Sequence, residues 1–253
     1  MNLKRFLLFI LILFLIFLIA YFYNNSGKIN TNAVYNTTPE EWVVTKVVDG
    51  DTIHIKVSNG SEEIIRLLGV NTPEKNKYYY SEAKNFLSFL ENKTVFLEKD
   101  SEDLDKYGRK LRYVFYDSRI INIEIIENGF ATLFMINNLK YKDKFIRAEN
   151  FAISNQKGLW EKSSDSCSSC IKLVLLNLTE DYFIIRNNCS TFCNLSGWEV
   201  KDDANHFFKI TSLEGYSEKK YDSKNIWNDN YDRFFMRDSY GKLVIYKYQK
   251  NKI

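Results

Sequence analysis

The chain has 253 residues, 45% of them hydrophobic and 16% aromatic, with a net charge of +3; this composition excludes a disordered or fibrous chain and has room for two modest domains. Residues 41–162 hold nineteen basic and nineteen acidic side chains, so any hold on nucleic acid must come from locally placed Lys and Arg, not from bulk attraction. His54 and His206 are the only histidines and stand far apart, which argues against histidine-based zinc chemistry and against a paired-histidine ribonuclease.

Lys4 and Arg5 precede Phe6 to Tyr23, eighteen residues without a charge. As a helix these would span about 27 Å, close to a bilayer core. The order of charges puts the N-terminus in the cytoplasm and the remainder outside. A cleaved signal peptide is the alternative. It would have a shorter apolar stretch and a small-x-small site, whereas the segment here ends Leu18-Ile19-Ala20-Tyr21-Phe22-Tyr23-Asn24. The expectation is a cytoplasmic stub and transmembrane helix over residues 1–23, then a polar linker over 24–40.

From Trp42 the pattern changes to strands. Val43–Val48 is β-branched, and Asp49-Gly50-Asp51 marks a turn. Thr52–Val57 alternates, with Ile53, Ile55 and Val57 on one face. Ser58-Asn59-Gly60-Ser61 reads as a hairpin turn and Glu63–Leu68 as a third strand. Tyr79–Leu90 has helical spacing, with Ala83, Phe86, Leu87 and Leu90 as its apolar stripe. Thr94–Glu98 and Leu111–Tyr116 read as strands; Ile123–Asn128, ended by Gly129, and Lys142–Asn155 read as helices. Five short strands with interleaved helices suit a small barrel of the OB type.

Within this frame stand Asp49-Gly50-Asp51-Thr52, then Arg66 followed by Gly69-Val70-Asn71-Thr72-Pro73-Glu74, then Asp105-Lys106-Tyr107-Gly108-Arg109. Each part has a bland reading: a turn, a helix start with Thr72 as cap, a surface arginine. Together they supply what phosphodiester cleavage with one hard cation needs. Oxygen ligands hold the ion, a carboxylate orders water, and guanidinium forks grip the phosphate. The ordered array resembles the thermonuclease (staphylococcal-nuclease-like) family over roughly Glu41 to Lys162.

That resemblance implies an OB-type five-stranded barrel with helices and a calcium-dependent endonuclease. It would act on single-stranded or frayed DNA and on RNA, leaving 3′-phosphate ends. It implies Asp51 and the Thr72 carbonyl as cation ligands, with Asn71 where the family has a second carboxylate. Loss of that charge should weaken calcium binding, and magnesium or manganese could serve instead. Asp49 would sit behind the ligands, Glu74 would act as general base, and Arg66 and Arg109 would bind phosphate. Lys106 and Tyr107 would lie near the terminal phosphate and the base. The family's pair of base-stacking tyrosines is replaced here by Met135 and Asn137, and Phe134 and Met135 are expected to pack in the core. The rival reading is a degenerate nuclease fold that binds nucleic acid or a protein without cutting: Asn71 favours it, while Arg66, Glu74 and Arg109 favour the enzyme.

Ser163-Ser164-Asp165-Ser166 marks the expected boundary of a second domain over 163–253. Its short strands, Lys172–Leu176, Tyr182–Arg186, Trp198–Lys201, Phe207–Ile210, Arg233–Arg237 and Leu243–Tyr248, suggest an all-β sandwich. Asn194-Leu195-Ser196-Gly197-Trp198 resembles the signature of lamin-tail domains, which implies an immunoglobulin-like fold and a binding role toward nucleic acid, protein or envelope polymer; a purely structural role is the equal alternative. Cys167, Cys170, Cys189 and Cys193 could form a zinc site, remain free, or pair as disulfides in an oxidising exterior. Cross-bridges would close larger loops than bridges within the close pairs, and so contribute more.

Overall fold

The computed structural model describes residues 41–57, 60–134, 139–224 and 226–250. The expected anchor, the linker, the tip of the Ser58–Ser61 turn, Met135 and Asn137 lie outside these. Among the described residues no helix is long and apolar enough to cross a membrane.

The first half is a closed five-stranded barrel. Strands β1 (Glu41–Val47), β2 (Thr52–Lys56) and β3 (Glu62–Leu67) form a meander; β4 (Val70–Asn71) follows apart from it. Then come helix α1 (Tyr80–Ser88), β5 (Thr94–Glu98) and β6 (Lys110–Tyr116). The order β3-β2-β1-β5-β6 closes on itself through a parallel pairing of β3 with β6, in which Arg66 faces Leu111. All other barrel pairings are antiparallel. The two-residue β7 (Arg119–Ile120) folds back antiparallel on the end of β6 and leads into α2 (Ile121–Glu127). The minor strand β8 (Thr132–Leu133) pairs with β4, and α3 (Lys142–Ser154) closes the half. Sequence periodicity gives the inward faces: Ile53, Ile55, Ala83, Leu87 and Leu90 are fully buried. Helical spacing over 142–155 groups Phe151 with Phe145, Ala148, Glu149 and Ala152, but Phe151 is exposed, with the Lys157 ammonium 4.6 Å above its ring.

The second half is two packed sheets. One has the order β13-β10-β9 and the other β12-β11-β14-β15, built from β9 (Ile171–Asn177), β10 (Tyr182–Asn187), β11 (Glu199–Lys201), β12 (Phe207–Lys209), β13 (Glu218–Asp222), β14 (Tyr231–Arg237) and β15 (Leu243–Lys250). Phe183, Trp198, Val200, Phe234 and Met236 fill the space between them. Charge hides β13 in the sequence: of Glu218-Lys219-Lys220-Tyr221-Asp222 only Tyr221 turns inward, where its ring stacks on Phe183 at 5.1 Å. Leu195 and Trp198 are buried, and the turn between them is closed by a 3.0 Å backbone bond. Cys167 is bonded to Cys193 and Cys170 to Cys189, with Cα separations of 5.6 and 5.3 Å, and no described cysteine is free. The bridges tie the start of β9 to the segment after β10.

From Glu40 onward the chain is one compact unit. The connecting segment is hydrogen-bonded into the sandwich: Leu243 N–H donates to the Glu161 carbonyl (2.8 Å) and Ser163 N–H to the Leu243 carbonyl (2.9 Å). Trp160, at the end of the barrel half, is buried with Ala152 against Phe235 and Leu243 of the sandwich. Arg233 of β14 reaches the other way. It pairs with Glu149 of α3 (2.7 Å), with Asp203 and with the Leu133 carbonyl. Burial works against its charge, but Glu149 and Asp203 more than offset this and hold it above the ordinary arginine range.

Candidate active site

Four pieces of the barrel bring the motif residues together: the β1–β2 turn, β3, the segment after β4, and the loop before β6. The turn is tight because Gly50 is wedged. A Cβ there would meet Ala83 Cβ at 2.6 Å and Thr72 Cγ2 at 2.8 Å. Asp51 N–H donates to Asp49 Oδ1 (3.1 Å), which fixes the turn locally.

Asp51 is only 7% exposed, so its carboxylate requires partners. Oδ1 accepts from the Thr52 hydroxyl at 2.9 Å. Oδ2 accepts from the Thr72 hydroxyl at 2.8 Å and the Thr72 N–H at 3.3 Å, and pairs with Arg66 at 3.0 Å. Burial, then the charge of Asp51, pushes Asp49 up to about 6. Thr72, Pro73 and Glu74 belong to no helix or strand, and α1 starts only at Tyr80, so the helix-start reading of Thr72-Pro73-Glu74 does not apply.

Arg109 is held by Asp105 through Nε (2.7 Å), and its Nη1 donates to the Thr52 hydroxyl (3.3 Å). The same Asp105 carboxylate accepts the backbone N–H groups of Tyr107 and Arg109, both at 2.9 Å. The loop is thus folded around one acid and presents Tyr107, 72% exposed, beside Lys106 and Arg109. Arg66, Asn71, Glu74, Lys106, Tyr107 and Arg109 line one open cleft of about 500 Å³. Phe134 lines it too, half-buried, which corrects the expectation of core packing; the core positions nearby are taken by Leu133 and Leu139. The four cysteines belong to the sandwich, Cys170 and Cys193 within its core and Cys167 and Cys189 packed against it.

The opposite wall comes from the sandwich, which the motif array did not signal. The β11–β12 turn, residues 202–206, places Ala204, Asn205 and His206 in the same cleft. Asn205 Nδ2 donates to Asn71 Oδ1 (3.0 Å), and reaches the Thr72 carbonyl and Glu74 Oε1, both at 3.4 Å. Asn71 Nδ2 in turn donates to the Asp203 carbonyl (2.8 Å). The His206 ring is fixed by Nδ1 against the buried Asp202 carboxylate at 2.6 Å. The one cue in the sequence was that Asp202-Asp203-Ala204-Asn205-His206 sets one of two histidines in an acidic turn between two strands.

The donor set is chemically suited to a hard cation: a carboxylate (Asp51), a peptide carbonyl (Thr72) and an amide oxygen (Asn71). One amide nitrogen, that of Asn205, touches the Asn71 and Thr72 oxygens of this set together with Glu74 Oε1, so these two donors and the Glu74 carboxylate converge. Among the described residues no group of three or more His, Cys, Asp or Glu side chains gathers as a metal site, so a cation here would rely on carbonyl and amide oxygens for part of its shell.

The profile of the family described as staphylococcal nuclease homologue matches residues 64–162. The chain is 36% identical over 175 residues to an uncharacterised protein of Methanocaldococcus jannaschii, across 57% of this chain and 84% of that one. To the thermonuclease of Staphylococcus intermedius it is 35% identical over 161 residues, across 60% of this chain and 95% of that enzyme. To endonuclease YncB of Bacillus subtilis it is 33% identical over 128 residues, across 47% and 60%.

Proposed function

We propose, because this chain belongs to the staphylococcal nuclease homologue family, that it is a metal-dependent endonuclease cutting single-stranded or frayed DNA, and RNA, to leave 3′-phosphate ends. The observation that carries this reading is the meeting of Arg66, Glu74 and Arg109 in one open cleft beside the buried Asp51 carboxylate. A calcium ion, or magnesium or manganese, held by Asp51, Asn71 and the Thr72 carbonyl, would neutralise charge on the phosphoryl group. Each guanidinium has five N–H donors. Arg66 uses some on Asp51 and on the Leu67 carbonyl, and Arg109 some on Asp105 and Thr52, which aims the remaining donors at the cleft. These donors would strengthen their hold as charge builds on the five-coordinate phosphorus. Glu74, exposed on its turn, would take a proton from the attacking water as its oxygen bonds to phosphorus. The 5′ oxygen then leaves and is protonated by solvent.

Purified protein is expected to cut a single-stranded oligonucleotide in calcium and to stop when chelator is added. Binding of the oligonucleotide without cleavage in calcium, magnesium and manganese would favour instead a nuclease-fold binding protein.

We also propose that Phe6–Tyr23 anchors the chain and that the catalytic half faces outward. The charge order around the segment supports this, as do two disulfides, which persist in oxidising compartments. Protease added to intact cells should then digest residues beyond 40; protection until the cells are lysed would defeat the proposal. For the sandwich, burial of Leu195 and Trp198 supports the lamin-tail-like reading. An experimental structure with strand connections foreign to the immunoglobulin type would remove it.

A further inference from the structure

We propose that Asn205, delivered by the sandwich, is a positioning residue of the nuclease site that sets its cation affinity: its N–H₂ group holds the ligand oxygens and must give way when a cation binds. The inference rests on the assignment of Asn71 and Thr72 as ligands given above.

The orientation of the amide is imposed. Lys201 Nζ, which can only donate, lies 2.8 Å from Asn205 Oδ1. The nitrogen must therefore point at Asn71 Oδ1, the Thr72 carbonyl and Glu74 Oε1. The backbone is equally constrained. Asn205 has φ of 66°, the left-handed region that asparagine tolerates better than most residues. Two residues earlier, Asp203 is gripped by Arg233 and its N–H donates to Asp232 at 3.1 Å. The amide is thus presented by a turn braced at both ends.

The same contact accounts for the amide at position 71. Asn71 accepts from Asn205 with its oxygen and donates to the Asp203 carbonyl with its nitrogen. A carboxylate at 71 would face that carbonyl oxygen with no proton between them. The residue that weakens the cation site is therefore the one that docks the turn.

A calcium ion would take at about 2.3–2.6 Å the same oxygens that now accept the Asn205 N–H groups. Two positive ends, the ion and the amide hydrogens, cannot share them without repulsion. Removing the amide should release those oxygens.

Calcium binding to the full chain, to Asn205→Gly and to Asn205→Asp, measured by titration calorimetry, tests this. Glycine removes the amide and accepts the positive φ without strain; aspartate replaces the donor by a further hard oxygen. Glycine is expected to tighten the dissociation constant by about tenfold, the equivalent of roughly one lost hydrogen bond, and aspartate by more. A merely structural role would lower the melting temperature in chelator and leave the constant unchanged. Equal or weaker binding in a folded variant, while the parent binds, would overturn the inference. If the glycine variant does not fold, the aspartate constant decides. No binding by any of the three, parent included, would overturn the ligand assignment itself and this inference with it.

Discussion

Arg66→Lys, Arg109→Lys and Glu74→Gln are each expected to reduce turnover by about 10²-fold or more, on the scale of losing one preorganised transition-state contact. Lysine keeps the charge and loses the fork. At 66 the loss is double. Arg66 sits in β3 between buried Ile65 and Leu67, and its guanidinium spans from Asp51 to the Leu67 carbonyl. An ammonium cannot hold that bridge and also grip a phosphate with two parallel bonds. At 109 the guanidinium is positioned by Asp105 and Thr52, so lysine would lose both its setting and its second donor. Glutamine at 74 keeps the size and one oxygen for Asn205 and loses the charge and basicity together, which makes it the closest-shaped test of proton abstraction. Single-turnover rates at saturating metal and substrate are the measurement. An effect of tenfold or less at all three positions would show that these residues do not carry the reaction.

Arg233→Met is expected to lower the unfolding free energy by about 3–5 kcal/mol, the usual cost of stranding one partner of a buried ion pair. The guanidinium is 7% exposed and satisfies Glu149, Asp203 and the Leu133 carbonyl at once. Methionine fills similar space but leaves the Glu149 carboxylate buried with, among the described residues, the Leu133 N–H at 2.8 Å as its remaining hydrogen-bond donor. The double variant Arg233→Met, Glu149→Leu should recover much of the loss, since removing both charges removes the desolvation cost as well. Urea denaturation of the single and double variants decides the matter. A single-variant loss below about 1 kcal/mol, the range of exposed pairs, would mean that water reaches this cluster.

The barrel was legible because its strands alternate and its helices carry one apolar stripe, as at Ile53, Ile55, Ala83 and Leu87. The motif residues were legible because cleavage of a phosphodiester limits which side chains can serve. What stayed hidden depends on contacts far apart in sequence. Nothing local in Asn205 or Asn71 indicates that they meet across 134 positions. Strand β13 was missed because its outward positions carry charge and a single inward tyrosine is no pattern. Phe134 was misassigned because an aromatic beside Leu133 reads as core, and only the three-dimensional course of β8 turns it toward the cleft. The four cysteines left several chemistries open, and only their placement about β9 and β10 defines the pairs.

Trp160 gives the architecture a consequence for inheritance. Its indole is the last large side chain of the nuclease half, yet beside Ala152 and Ile153 of α3 its walls are Phe235, Leu243 and the half-buried Tyr246 of the other half. Arg237, also from there, donates to the carbonyl of the neighbouring Leu159 at 2.6 Å. A gene fragment ending at Lys162 would encode a barrel with a bare tryptophan and a stranded carbonyl, whereas one ending beyond β15 would encode a finished surface. The nuclease half of this chain is therefore poorly suited to travel alone by recombination. Selection acting on the junction would fall on the two halves together, and a change at Phe235 would be felt as a change at the end of the barrel.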